Sequence, residues 1–371
     1  MSLITLLSES TQLSPVWSVL FLVLLLAIPV AAICLAAKGF RGVLRRRQVR
    51  LDLAVLKANP KPPIRRNDVA DRVFADRYRA QELLGAGSDG EVWKGVDEKT
   101  EGAVAIKVAV NDAGEAELRN EVGVLRTLDH PGIPRALASS PKNASELFMV
   151  MTLMGGTNLR NRTTILRQEV AYQHFYRLWF RGRKSFRRKY ALTAAAAMPH
   201  AEWKRVFGAV ASIIDHAHNS GVAVGDLKME HIIVSDDSCS MVDFGGSALI
   251  KEGQTKGRVS PMTAAPESAQ GHSIRGDIYS LAVLMVEGLT GCYPRTHLEV
   301  STHAMWLSAH VNDHLRNWYG PYRAFVLENE EELRTACPGE TYEPIRRALS
   351  TDPDVRPATA TDLFESVAVA L

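Results

Sequence analysis

The sequence predicts an α+β domain preceded by one membrane-spanning helix. Three observations predict it. An uncharged apolar run fills residues 16–37. From Tyr78 onward, apolar and polar residues alternate on both sides of a glycine-rich turn, which is the period of strands. Farther on, apolar residues recur at helical spacing (Leu118, Val122, Leu125, Leu128), and later the solid apolar segment LAVLMVEGLTG at 281–291 reads as a buried helix. With 371 residues, 46% hydrophobic and 23% charged, the chain can bury a sizeable core and is not a disordered polymer. A net charge of +3 is too mild to point to nucleic acid, and none is expected as a partner. The four cysteines, Cys34, Cys239, Cys292 and Cys337, match no metal spacing and no disulfide scaffold, so free thiols are the simplest reading.

The apolar run VWSVLFLVLLLAIPVAAICLAA is long enough, at ~1.5 Å per residue, to cross a hydrocarbon core of ~30 Å. A signal peptide is the competing reading. The run exceeds the usual ~7–15 apolar residues of such a leader, and no Lys or Arg precedes it. Residues 1–15 carry only Glu9 as a charge, whereas Lys38, Arg41, Arg45, Arg46, Arg47 and Arg50 follow the span. The positive-inside rule then places a short external N-terminus at 1–15, the span at 16–37 and a basic juxtamembrane linker at 38–75. Everything beyond is expected on the cytoplasmic side of the cell membrane.

The turn itself reads Gly85-Ala86-Gly87-Ser-Asp-Gly90-Glu-Val92. Glycines let backbone amides approach phosphate oxygens closely. The motif alone is weak evidence, but here the chain continues as a strand and not as the helix of a dinucleotide fold. Val104-Ala105-Ile-Lys107 then sets a lysine in an apolar strand. Burying an unpaired ammonium is unfavourable, so phosphates and a carboxylate are the expected partners. Glu121, on the predicted helix that follows, is placed to face it.

On these motifs the chain resembles the eukaryotic-type serine/threonine protein kinase family, from about residue 76 to the end. The resemblance implies a two-lobed fold, with a β-rich small lobe at 76–153 and a helical large lobe at 154–371. It implies ATP and Mg²⁺ (or Mn²⁺) as cofactors and a protein as substrate. Gly85, Ala86, Gly87, Gly90, Val92 and Ala105 would enclose the nucleotide. Lys107 would hold its phosphates, with Glu121 as ion-pair partner. Met151 falls at the gatekeeper position, and Thr152 and Met154 would offer backbone groups to adenine.

Val224-Gly225-Asp226-Leu-Lys228 stands at the catalytic-loop position. By resemblance, Asp226 is the base or orienting group for the substrate hydroxyl, and Lys228 steadies the transferring phosphoryl charge. Asp243 in Asp243-Phe-Gly245 would bind Mg²⁺. Ser260-Pro261 would direct a hydroxyl toward Asp226 and Lys228. Asp277 would buttress the catalytic loop, and Arg356 would pair with Glu267 of Ala265-Pro266-Glu267.

The departures are informative. Val224-Gly225 replaces the family's His-Arg, which removes the usual partner of an activation-segment phosphate. His231 stands where the second Mg²⁺ ligand, an asparagine, is expected, and imidazole is a poor replacement because Mg²⁺ prefers oxygen. Two functions follow: a membrane-anchored kinase that phosphorylates Ser/Thr hydroxyls of proteins, or an inactive pseudokinase serving as a nucleotide-binding or docking scaffold at the membrane. A basic insertion at about 160–200 carries ten Arg/Lys and one acid within 160–190, with aromatics interleaved. It reads as an extended helix with a solvated face, as a membrane-surface segment touching lipid, or as a docking site for acidic partners.

Overall fold

The computed structural model describes residues 69–87, 89–141, 144, 147–163, 197–250, 259–260, 262–269, 271–294, 326–327 and 329–371. The predicted span at 16–37, nearly all of the linker and most of the basic insertion lie outside the described residues. Among the described residues, no helix is long and apolar enough to cross a membrane.

The first lobe is built on strands β1 (Val73–Phe74), β2 (Tyr78–Ala86), β3 (Gly90–Asp97), β4 (Ala103–Ala109), β5 (Ala136–Ser139) and β6 (Phe148–Thr152). They form one antiparallel sheet in the order β1-β2-β3-β4-β6-β5. The alternation legible in the sequence decides which side chain faces where. On β4, Val104, Ile106 and Val108 enter a core with Phe74, Tyr78, Trp93 and Val150. Their neighbours Ala105 and Ala109 face the other way, into the larger core shared with the second lobe, together with Met149 and Met151 of β6. Lys107 lies between Ala105 and Ala109 at the strand period of two, so it shares their face.

Helix α1 (Asp112–Leu125) packs on that face, with Leu118, Glu121, Val124 and Leu125 buried. Its start is capped by the Asn111 side chain, which accepts from the Gly114 amide at 2.8 Å. Gly114 is there because the glycine-rich turn crosses above it: a Cβ would lie 1.7 Å from the Asp89 carbonyl oxygen.

The second lobe centres on α2 (His200–Asn219) and α3 (Ile274–Thr290). Every residue of α3 from Asp277 to Thr290 is buried. A helix covered on all sides is the middle of a lobe, not its surface. Trp203 of α2 lies tilted against Phe207 and stacks on Phe364, and it donates its indole N–H to the Met285 carbonyl at 3.1 Å. The last helix, α6 (Ala360–Ala368, after the short α4 at Glu330–Ala336 and α5 at Tyr342–Ala348), has a full capping box from Thr359 and Asp362. Asp215 of α2 also accepts from the Ala360 and Thr361 amides, at 2.8 and 2.9 Å, which ties the two helices at one end. Small strands β7 (Thr157–Asn158), β9 (Ile232–Val234) and β10 (Cys239–Met241) form a sheet at the base of the first lobe, and β8 (Val222–Ala223) pairs with β11 (Ala248–Leu249). The turns between these short strands carry the predicted reactive residues.

Candidate active site

Lys107 meets its expected partner. Its Nζ donates to Glu121 Oε2 at 2.6 Å and to Asp243 Oδ1 at 2.7 Å. Burial opposes its charge, but the carboxylates of Glu121 and Asp243 outweigh that and raise its pKa. Glu121 is fully buried, and burial pushes its carboxyl up against the pull of Lys107. Its second oxygen accepts from the Phe244 amide at 3.1 Å. Asp243 feels burial too, yet Lys107 and a hydrogen bond from His231 hold its carboxyl well below the usual range. Its backbone is left-handed, at φ 67°, a conformation uncommon for a residue with a Cβ and found most often where surrounding contacts impose it.

The turn that follows Asp243 is held by α1. The Asn120 amide donates to the Gly245 carbonyl at 2.9 Å and the Ser247 carbonyl at 2.7 Å. The sequence reading missed Asn120. An asparagine inside a helix is a weak helix former, and that is the signal that could have flagged it.

Asp226 is nearly buried and pairs with Lys228, Nζ to Oδ2, at 2.9 Å. The turn carrying it is fixed from below by Asp277. That carboxylate accepts from the Val224 amide at 2.7 Å and the Gly225 amide at 2.8 Å, and contacts His218 Nε2 at 2.8 Å. Gly225 adopts φ +79°, and a Cβ there would lie 2.6 Å from His272 Cε1. The space beside the missing arginine is therefore filled by His272. The hydroxyl reaching this loop also differs from expectation. Thr263 Oγ1 donates to the Leu227 carbonyl at 2.5 Å, while Ser260 contributes its carbonyl, which accepts from the Thr263 and Ala264 amides. The expected pair of Arg356 and Glu267 is formed bidentately, at 2.5 and 2.8 Å.

His231 links the two aspartates. Its Nδ1 lies 3.1 Å from the Asp226 carbonyl and its Nε2 lies 3.0 Å from Asp243 Oδ2. Lys107, Asp243, His231, Asp226 and Lys228 thus form one continuous polar chain along a crevice between the lobes.

The predicted adenine side is assembled on the same sheet face. Val92 is opposite Lys107 across β3 and β4, and Ala105 is opposite Met151 across β4 and β6. Thr152 ends β6 and gives its N–H to the Arg135 carbonyl at 3.0 Å, so the carbonyl is its remaining backbone contribution to a ligand. Met154 lies beyond the strand end.

Do these residues fit ATP and a divalent ion? A Cβ on Gly85 would meet nothing within 4 Å, and on Gly87 only the Gly90 oxygen at 3.8 Å. Packing within the chain does not demand these glycines; a ligand approaching the turn backbone would. Lys107 is charged beneath that turn. Asp243 offers a hard carboxylate oxygen, the donor Mg²⁺ prefers. A nucleotide with one cation at Asp243 fits the residues present.

Of the basic insertion, residues 160–163 and 197–200 are described. Arg160 pairs with Glu230 at 3.1 Å and with Glu287, and Arg162 pairs with Glu202 at 2.5 Å. Its first two arginines are therefore bound to carboxylates of their own lobe. Among the described residues, Cys239, Cys292 and Cys337 form no disulfide, and burial pushes the Cys337 thiol up to about 12 and Cys239 to about 11, which makes both poor nucleophiles at neutral pH.

Comparison with known proteins agrees with this geometry. Residues 78–367 match the family model described as protein kinase domain. A serine/threonine-protein kinase, dkf-1, of Caenorhabditis elegans is 27% identical over 258 residues, covering 64% of this chain and 32% of that protein. Serine/threonine-protein kinase PkaB of Streptomyces coelicolor is 31% identical over 243 residues, 60% of this chain and 51% of that protein. CBL-interacting serine/threonine-protein kinase 2 of Arabidopsis thaliana is 26% identical over 238 residues, 60% and 45%. The match spans about a third to a half of the length of these relatives.

Proposed function

The chain belongs to the protein kinase domain family, and on that premise we propose that it is a membrane-anchored serine/threonine protein kinase. It transfers the γ-phosphoryl group of ATP to Ser or Thr hydroxyls of a protein. The observation that carries this reading is the convergence of Lys107, Glu121, Asp226 and Asp243 along one crevice, with Lys107 bonded to both Glu121 and Asp243. In an inactive arrangement of such a domain, the helix carrying the glutamate swings out and that bond is absent. Here the bond is made, and Asn120 ties the same helix to the turn after Asp243.

In this reading Lys107 orients the phosphates. Asp226 accepts or orients the proton of the attacking hydroxyl, and Lys228 sits beside it to offset negative charge on the transferring group. Mg²⁺ bound at Asp243 supplies neutralisation of the phosphate charge. Asp277 and its three contacts set the position of Asp226, and His272 fills the space beside Gly225. Both features support a domain that needs no activation-segment phosphate. Serine/threonine specificity is supported by the names of the relatives.

Membrane anchoring, with the kinase domain on the cytoplasmic side, is supported by the apolar run at 16–37 and the arginine-rich flank that follows it. The test is incorporation of label from [γ-³²P]ATP by the full chain, on itself and on generic protein substrates. Asp226→Asn and Lys107→Met serve as controls and are expected to lower the rate by at least ~10²-fold. Label at the level of the controls under both Mg²⁺ and Mn²⁺ would leave the scaffold role instead.

A further inference from the structure

An acidic place lies next to the catalytic loop, and the chain fills it with an arginine of its own. Glu230 stands on the short turn Met229–His231, four residues past Asp226 and two past Lys228. Its side chain is 42% exposed. At ~3.5 Å per residue, its Cα lies no farther than about 14 Å from that of Asp226. An extended substrate with its hydroxyl at Asp226 covers that distance within about four residues on either side. Glu287, on α3, is almost without solvent contact. Arg160 reaches both carboxylates. Its Nε donates to Glu230 Oε1 at 3.1 Å, and its Nη1 donates to Glu287 Oε1. Local structure fixes this placement. Strand β7 pairs with β9, with Thr157 opposite Val234 and Asn158 opposite Ile233. That antiparallel register carries Arg160 toward His231 and Glu230. Asn158 Oδ1 accepts from the Asn161 amide at 2.8 Å, and Thr163 Oγ1 donates to the Arg160 carbonyl at 3.1 Å, so the backbone on both sides of Arg160 is held. Thr163 is buried, and its hydroxyl touches Met229 Sδ at 3.8 Å, on the turn that carries Glu230.

Two carboxylates this close to the catalytic loop, one of them shielded from water, would draw a cationic side chain from a substrate. A guanidinium suits the place, because it is always charged and can donate to two carboxylates at once. Arg160 makes both contacts from within the chain, where no loss of translational freedom opposes them. A substrate arginine would have to displace it. Beside it, Arg162 is matched in the same way by Glu202 of α2. We propose, resting on the kinase reading above, that Arg160 is a specificity-determining residue. It shuts the acidic place beside the catalytic loop to basic side chains of the protein substrate, so this chain takes Ser or Thr segments without selecting for a flanking arginine.

The test compares twin peptides. The full chain in detergent is given serine peptides in pairs. One member has arginine at a single position within about four residues of the serine, on either side, and its twin has alanine there. The readout is kcat/KM with arginine divided by kcat/KM with alanine, position by position. Wild-type ratios are expected within about twofold of one. Arg160→Ala uncovers the carboxylates and is expected to raise the ratio about tenfold at one or two positions. Adding Glu230→Gln to Arg160→Ala removes most of that gain. A purely structural role for Arg160 would lower the rate on both twins alike and leave every ratio near one, which overturns the proposal. So does a wild-type ratio of about ten at any position. Should Arg160→Ala fail to fold, Glu230→Gln alone decides. With the place shut, its ratios stay at the wild-type values, and a fall at any position overturns the proposal. A wild type that labels no member of the set overturns this inference, and one that also fails to label itself overturns the kinase reading with it.

Discussion

Two sets of buried ion pairs, one in the crevice and one in the large lobe, use the same chemistry for opposite ends. In the large lobe, Arg356 has no exposed side-chain surface. It meets Glu267 bidentately and also donates to the Ser350 and Arg275 carbonyls, each at 2.9 Å. Asp277 is likewise matched on both oxygens. The Arg356 guanidinium and both Asp277 oxygens are met from within the lobe, and the result fixes backbone. In the crevice, Glu121 is fully buried, but the Lys107 side chain is 16% exposed, the Asp243 side chain is 34% exposed, and the Asp243 backbone is left-handed. A pair whose cation is fully buried and met from its own lobe holds shape, although Glu267 itself is 24% exposed. A pair whose cation and carboxylate both keep some exposure leaves a place for a ligand.

The comparison breaks most visibly at Glu267. Changing Glu267→Ala leaves a guanidinium buried with no carboxylate, and an arginine does not neutralise itself. The expected loss is about 3–5 kcal/mol, seen as a fall of roughly 10 °C in the unfolding midpoint. Nucleotide affinity of the molecules still folded should be unchanged. Lys107→Met reverses that balance. It strands Glu121, but burial already pushes that carboxyl up, so it can take a proton and limit the damage to about 1–3 kcal/mol. Nucleotide binding, followed by the ligand-induced rise in unfolding temperature, should disappear. If Lys107→Met destabilised the chain as much as Glu267→Ala, the crevice pair would be a scaffold and the distinction would be void.

What could be read beforehand follows the same division. Lys107, Glu121, Asp226 and Asp243 were legible because strand period, helical spacing and ordered motifs fix them locally. The buttress at Asp277 and the Arg356–Glu267 pair were legible through the resemblance, in matching order. Asn120, Thr263 and His272 were not. Each acts on a segment distant along the chain or lies in an irregular one, where no periodicity marks a partner. The hydroxyl expected from Ser260 came from Thr263, three residues on, because turns in the activation segment decide which side chain meets the catalytic loop. The role of His231 was open for a related reason: composition gives an imidazole, but its two neighbours come from Asp226 and Asp243, and their placement is a property of the folded crevice.

A third set of polar contacts lies between the two extremes and should give the smallest effect. The His130 ring is 5.3 Å from that of His216 on α2, where the loop after α1 touches the large lobe. His130 Nδ1 accepts from the Gly132 amide at 3.0 Å, and His216 Nε2 accepts from the Asp129 amide at 3.2 Å. Ser212 lies 3.5 Å from His130 Nε2, and the Asp129 carboxylate is engaged by Arg135 at 2.9 Å. Burial first, and the neighbouring His216 second, lower the pKa of His130 from 6.5. A base with a depressed pKa binds fewer protons folded than unfolded, so its contribution is present above about pH 6.5 and is lost as the pH falls below that value. Between pH 7.5 and pH 5.5 the wild type should lose more of its unfolding temperature than His130→Asn, by on the order of 1–2 °C. The asparagine oxygen can still accept from Gly132 but cannot take up a proton in that range. Equal losses in the two proteins would show that this contact, unlike the crevice and the large-lobe pairs, is held by packing and not by its polar groups.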